Sequence, residues 1–252
     1  MSSDLRKEKI LDNLSHNHRV LVVEMSEELG VSNETIRRDL KELEAEGAVR
    51  RIHGGAIPVA RTADAPITER IQQHAREKDQ IAQIARGLIQ DDSVIFLDTG
   101  TTTLALARRL EGFKKIRLYT NSLRIAQSAS ASFGVSVQMT PGRLRPIEQD
   151  LVGFDTIAYL QQFHFDAVFM GTAAVDDRYG FMDFEEDEAR IRQSLLGRAR
   201  RCVMLADSSK FGRVANVITA RFEQVTTLVT NRALPAELGG AIRQSGLEVL
   251  HD

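Results

Sequence analysis

From Lys78 to the end of the chain, short apolar runs alternate with helical patterns, and this alternation constrains the fold more than any other feature. Val94-Ile95-Phe96-Leu97 is a continuous apolar run of strand length. Further strands are expected at 117–120, 135–139, 166–171, 201–206, 225–229 and 247–250. Helical spacing falls between them, as in Ile81, Ile84, Ala85, Leu88 and Ile89, then at about 103–110, 123–131, 154–162, 185–198 and 235–243. Strands separated by helices cannot pair as hairpins. They predict an α/β domain built on a mainly parallel sheet, with ligands held beyond the carboxyl ends of the strands.

Three loops fall at such ends. Asp98, Gly100, Thr101, Thr102 and Thr103 follow the 94–97 strand. Gly100 lets the backbone approach a ligand, and Thr hydroxyls with the free N–H groups of a helix start can hold an anion. Thr120, Asn121 and Ser122 form the second loop, and Asp207 to Arg213 form the third, where Lys210 offers a positive charge. Each has an ordinary alternative, a helix cap or a solvated lysine. Together they point to a small, polar, phosphorylated ligand.

The first 57 residues read differently. Leu5–Leu14 is a helix, and 19–22 is either a short strand or the start of the next helix. Val23–Leu29 is a shorter amphipathic helix that turns at Gly30. Ser32 then caps a helix with Ile36, Leu40 and Leu43 on one side. At about 100° per residue, Arg37, Arg38 and Lys41 fall on the opposite side, with Ser32, Asn33 and Thr35 in the first turn. A hairpin at Ala48–Ile52 carries Arg50 and Arg51, and Gly54-Gly55 ends it. Helix, Gly turn, then a helix with a polar N-terminus is the helix-turn-helix pattern. Arg37 or Arg38 would meet guanine edges or phosphates, and Lys41, Arg50 and Arg51 the phosphate backbone. Net charge does not help, because acidic residues outnumber Lys and Arg over 1–53. Placement on one sector carries the reading, and Glu34 in that sector is the exception.

Val31-Ser32-x-x-Thr35-Ile36-Arg37-Arg38-Asp39-Leu40, Leu43-Glu44-x-x-Gly47 and Arg51-x-His53-Gly54-Gly55-Ala56 resemble the winged helix-turn-helix of the DeoR family of bacterial transcription regulators. Asp98-x-Gly100-Thr101-Thr102, Thr120-Asn121-Ser122, Asp150-Leu151-Val152-Gly153, Asp166-x-x-Phe169-x-Gly171 and Asp207-x-Ser209-Lys210 resemble that family's sensor domain. Phe181-Met182-Asp183-Phe184 and Ser209–Arg213 are most like its glycerol-phosphate-sensing branch. The resemblance implies a sensor fold like that of sugar-phosphate isomerases, double-stranded operator DNA as partner, a phosphorylated sugar or polyol effector, and an even-numbered homo-oligomer, dimer or tetramer. It also places Gly142 near the effector. Met25, Ser26 and His18 are small departures in the head. Pro141-Gly142, Arg192 and Asn231 stand where the family more often has Gly-Gly, Lys and Asp.

The organisation expected is therefore a DNA-binding domain over 1–57, a linker over 58–75 rich in Pro, Ala and Thr, and an α/β sensing domain over 76–252. The single Cys202 excludes an internal disulfide and reads as a small buried hydrophobe. No apolar run approaches the ~18 residues of a membrane helix, no signal-peptide core is visible, and a cytoplasmic protein follows. The six His are scattered without metal-ligand spacing, so no metal site and no cofactor are expected. The rival reading is a sugar-phosphate isomerase with an accessory head, using Asp98, Lys210 and Glu185 or Glu188 in acid/base chemistry. An activator with the same parts is a third reading.

Overall fold

The computed structural model describes residues 3–17, 19–46, 48–52, 54–58 and 65–252. The chain divides into two compact units, Met1–Arg61 and Thr62–Asp252.

The first unit holds helices α1 (Ser3–Asn17), α2 (Val22–Leu29) and α3 (Asn33–Ala45), with strands β1 (Val20–Leu21), β2 (Val49–Ile52) and β3 (Gly55–Pro58). Of the two options at 19–22, both occur, a two-residue strand running directly into α2. The strands form an antiparallel sheet in the order β1-β3-β2. Ile10, Leu14, Met25, Ile36, Leu40 and Leu43 make its core. The apolar stripe of α3 is buried as its spacing requires. Asp39 is buried beside it, forked onto Arg6 from α1, with Arg6 Nη2 at 2.8 Å from Asp39 Oδ1.

The hairpin is longer than the sequence suggests. Gly54 sits in its turn at φ +82°, and Gly55 opens the second strand instead of ending the motif. Gly55 is required by contact: a Cβ there would lie 1.9 Å from the carbonyl oxygen of Val20 on the neighbouring strand. Gly47, His18 and His53 lie outside the described residues.

In the second unit the chain runs α4 (Ile67–Arg70), α5 (Ala75–Arg86), β4 (Val94–Leu97), α6 (Thr101–Ala107), β5 (Ile116–Thr120), α7 (Leu123–Ala129) and β6 (Val135–Met139). A ribbon of β7 (Arg143–Arg145) and β8 (Asp150–Val152) leads to α8 (Phe154–Leu160) and β9 (Phe165–Gly171). Then come β10 (Ala174–Asp176), β11 (Gly180–Asp183), α9 (Glu186–Leu195), β12 (Ala199–Leu205), β13 (Val217–Ala220), β14 (Thr227–Val229), α10 (Ala236–Ser245) and β15 (Glu248–Leu250).

Seven strands form one sheet in the order β15-β14-β12-β9-β4-β5-β6, with every neighbouring pair parallel. Strand alternation splits its side chains. Ile95, Leu97, Phe169, Val203 and Leu205 face α5, α6 and α7. Phe96, Val168, Met170, Cys202 and Met204 face α8, α9 and α10. Both faces are covered, which is why these strands read as unbroken apolar runs. Cys202 is buried, and burial pushes its thiol up to about 12.

From β4 the chain steps outward through β5 and β6, then returns to β9 and steps outward the other way. The reversal lies between β4 and β9, and a crevice opens at the carboxyl ends of strands where such a reversal occurs. Two small sheets escaped the sequence reading, the β7–β8 ribbon and an antiparallel β10-β11-β13 sheet. Their strands have three or four residues, too few to display a period.

Part of the stretch 58–75 expected as a linker is structured. Residues 59–64 lie outside the described residues, but Ile67 is fully buried in the second unit and Arg70 pairs with Glu148. One buried apolar residue in a polar stretch leaves no periodic mark.

Because Gly55 abuts the Val20 carbonyl, Gly55→Ala is expected to destabilise the first unit by about 1–3 kcal/mol. Amide exchange over 20–58 should accelerate while the exchange of β4, β9 and β12 stays unchanged.

Candidate functional site

The exposed face of α3 is organised by its cap. Ser32 Oγ accepts the Thr35 amide at 3.2 Å and lies 2.9 Å from Thr35 Oγ1. Those two hydroxyls, expected to face bases, are thus engaged with each other and with the helix end. Asn33 is exposed and, among the described residues, makes no side-chain hydrogen bond. Arg37, Arg38 and Lys41 are all exposed. Arg37 is 3.4 Å from Glu34 one turn earlier, which accounts for that acidic residue in a basic sector. Among the described residues Arg38 and Lys41 have no ion-pair partner. In the hairpin, the Arg51 amide donates to Glu44 at 2.9 Å, and its guanidinium is 3.8 Å from the same carboxylate. The side chain of Arg50 lies outside what the structure describes.

In the second unit the three loops stand where the strands end. Thr120 Oγ1 donates to the Leu97 carbonyl at 2.7 Å, and Asn121 Oδ1 accepts the Thr99 amide at 2.9 Å. Ser122 Oγ caps α7 through the Ile125 amide. All three are buried. Thr120 and Asn121 thus tie the first two loops together, and Ser122 holds the start of α7. Thr103 is buried with its hydroxyl on the Gly100 carbonyl at 3.0 Å, Thr102 is almost buried, and Thr101 is half-exposed. Gly100 has φ +149° and ψ 162°, a region open essentially to glycine alone. Gly142 is also fixed by packing, since a Cβ there would lie 2.3 Å from Thr156 Oγ1. Lys210 sits in a 3₁₀ turn after β12, two strands from β4 in the sheet. Burial works against the charge of Asp207 beside it, yet Lys210 and the Ser209 amide hold that carboxyl below its usual range, with His74 adding to the pull. Asn231 Oδ1 accepts the Ser208 amide at 2.8 Å, a bond that aspartate could also make.

The ionic network beneath leaves almost no trace in the sequence. Arg192 is buried and meets three carboxylates from three elements: Asp98 through Nε at 2.6 Å, Asp183 through Nη1 at 2.5 Å, and Glu188 through Nη2 at 2.9 Å. Glu188 reaches on with its other oxygen to Arg145 at 2.6 Å, and Arg145 forks onto Asp150. Burial disfavours the charge of Glu188, but Arg192 and Arg145 override it and hold the carboxyl low. Asp98 goes the other way. Burial outweighs Arg192 and pushes its carboxyl up to about 6. These partners are 94, 9 and 4 residues from Arg192 in sequence, so only the Glu188 pair has a helical spacing that could have hinted at it.

Among the described residues, several buried polar atoms at the strand ends have no hydrogen-bond partner. Asp98 Oδ1 and Thr99 Oγ1 follow β4, Thr140 Oγ1 follows β6 and Thr230 Oγ1 follows β14. Leaving such a group unsatisfied costs about 1–3 kcal/mol. Four of these lie on one edge of one sheet. Among the described residues no helix is long and apolar enough to cross a membrane, and no His, Cys, Asp and Glu cluster could hold a metal ion.

With this geometry in hand, known proteins align along the whole chain. Residues 6–62 match the DeoR-like helix-turn-helix domain, and residues 73–232 match the DeoR C-terminal sensor domain. The HTH-type transcriptional regulator GlpR of Haloferax volcanii is 34% identical over 246 residues, covering 97% of this chain and 96% of that protein. The glycerol-3-phosphate regulon repressor of Escherichia coli is 28% identical, covering 94% of each. Among solved structures, ribose 5-phosphate isomerase A from Methanocaldococcus jannaschii aligns with a TM-score of 0.40 and 18% identity over 55% of each chain.

A carboxyl raised above its unfolded value binds its proton more tightly in the fold. Asp98 therefore contributes stability that is fully present below its ordinary value of 3.8 and is lost as pH rises to about 6, so it contributes more near pH 5 than near pH 7.5. In denaturant titrations, the stability of wild type relative to Asp98→Asn should fall as pH rises from about 4 to about 6 and level off above that. A difference independent of pH would contradict the assignment.

Proposed function

The chain belongs to the DeoR family of transcription regulators, and from that premise we propose that it represses a carbohydrate or polyol catabolic operon and leaves its operator when a phosphorylated sugar or polyol binds the second unit. One observation supports this above others. A capped helix with unpaired cations on its open face is joined in one chain to a parallel sheet whose carboxyl edge carries unpaired buried polar atoms.

In this reading α3 enters the major groove. Arg38 contacts a base edge, while Lys41, Arg50 and Arg51 neutralise phosphates. Asn33 reads from the first turn, and Arg37 must leave Glu34 to take part. Homo-oligomers bring two α3 helices onto half-sites about 10 base pairs apart or a multiple of that. The protein works where its operator lies, in the cytoplasm.

The effector's phosphate lies against the Gly100–Thr103 turn, with Lys210 as a further cation. Thr120, Asn121 and Ser122 hold that turn in shape. The isomerase alternative is not favoured. Of the carboxylates it would use, Asp98 and Glu188 are committed to Arg192 and Arg145, and the exposed Glu185 lies 4.0 Å from Arg145.

Arg38→Ala should weaken operator binding by about 1–3 kcal/mol and narrow the gap between operator and random DNA. Lys41→Ala should weaken both alike and reduce the salt slope by about 1. Fluorescence anisotropy on the two DNAs over a salt series measures this, and unaltered occupancy in both variants would sink the reader assignment.

A thermal-shift screen of sugar and polyol phosphates tests the sensing half, since a ligand that binds only the folded state raises its melting temperature. A hit should also lower operator affinity, and Thr101→Val with Lys210→Ala should erase both responses.

A further inference from the structure

A cavity of about 310 Å³ opens in the second unit beside this network, walled by Pro66, Arg70, Arg145, Glu148, Asp183 and Glu188. Its charge is lopsided. With Glu185, also on the wall, four carboxylates face two guanidinium groups, both already paired with acids, and Arg192 behind the wall pairs with Asp183 and Glu188. A phosphate would enter against that excess. Hydroxyl groups, which donate to carboxylate oxygens, would be welcomed by it.

The cavity also has an unusual wall. Pro66 and Arg70 belong to the first described turn after 59–64, the stretch that leads from the DNA-reading unit. Arg70 Nη2 pairs with Glu148, and its Nε donates to the Ala65 carbonyl at 2.7 Å. The Arg70 carbonyl in turn accepts Lys78 Nζ from α5 at 2.6 Å. One side chain thus ties the start of the second unit to the loop between β7 and β8. Both partners are largely shielded from water, at 16% and 17% exposure, so the pair is more than a surface contact.

We propose that this cavity receives the uncharged, hydroxyl-bearing part of the effector, and that Arg70 is the residue that couples its occupancy to the DNA-reading unit. The inference rests on the effector reading above. Effector hydroxyls compete with Arg70 for Glu148. The pair opens, and residues 65–70, which lead on to 59–64, lose that anchor. A ligand shifts an equilibrium only by its differential contact with the two states, and the Glu148 carboxylate supplies that difference.

The test uses the full chain, operator DNA and five probes: glycerol 3-phosphate, sorbitol 6-phosphate, fructose 1-phosphate, fructose 6-phosphate and, as their acidic counterpart, 6-phosphogluconate. In wild type, at least one hydroxylated phosphate should raise the melting temperature and lower operator affinity about tenfold or more, within the usual range of allosteric coupling. 6-Phosphogluconate should do neither, and release by it would overturn the cavity's chemistry. In Arg70→Ala the active probe should still raise the melting temperature, but operator affinity should change less than about twofold. Glu148→Gln, the milder variant, should respond in the same direction. Release equal to wild type in these variants overturns the coupling role. So does complete loss of the thermal shift in Arg70→Ala, which would make Arg70 a ligand contact. If no probe shifts wild type, the effector reading is what fails. The clasp is then judged in ligand-free protein, where amide exchange over 65–71 should be about tenfold faster in Glu148→Gln, and unchanged exchange overturns it.

Discussion

Arg192 holds together the part of the molecule that senses. One guanidinium gathers Asp98 from the end of β4, Asp183 from the end of β11 and Glu188 from its own helix. Removing it would leave three buried carboxylates facing one another, and an uncompensated buried charge costs several kcal/mol. A planar fork with fixed donors suits three acceptors better than the single ammonium of lysine. The arrangement also fixes the floor of the crevice. Asp98 begins the Gly100–Thr103 turn, so the orientation of that turn follows from the orientation of Arg192.

The network is rich in acid, and this shapes what the site does. Asp98, Asp150, Asp183 and Glu188 share Arg145 and Arg192. Burial then weakens the charge of Asp98 while the two arginines keep Glu188 ionised. Two carboxyls of similar intrinsic acidity are separated by their surroundings. In the proposed reading the anion is held elsewhere, by backbone amides and hydroxyls at the start of α6. A phosphorylated polyol is divided in the same way, with charge at one end and hydroxyl groups at the other. The crevice matches that division.

The reader unit uses its charges more sparingly. The deeply placed pair of Arg6 with Asp39 joins α1 to α3 and serves the fold. The exposed pair Arg37–Glu34 is worth little in water and is easily exchanged for a phosphate. Arg38 and Lys41 are left for a partner. A head that carries more acidic than basic residues can still present a basic face when its acids are turned away or paired.

The sequence by itself determined the periodic parts. The short apolar runs at 94–97 and 167–170, set among helical patterns, pointed to strands covered on both faces. The stripe Ile36, Leu40, Leu43 after a serine cap could only be a helix with one open side. The loops at 98–103, 120–122 and 207–210 were legible because strand ends in a parallel sheet are where polar residues collect. Tertiary structure decided which of those polar atoms are spent and which remain. Thr120, Asn121 and Ser122 looked the same as Thr101 in the chain, and only the approach of β5 to β4 turned them inward. Gly142 looked like a ligand contact until Thr156 closed over it, and Arg70 looked like linker until Glu148 met it. Periodicity is written locally, within a few residues. An ion pair between positions 70 and 148, or 98 and 192, depends on how distant strands and helices pack, and no local pattern records it.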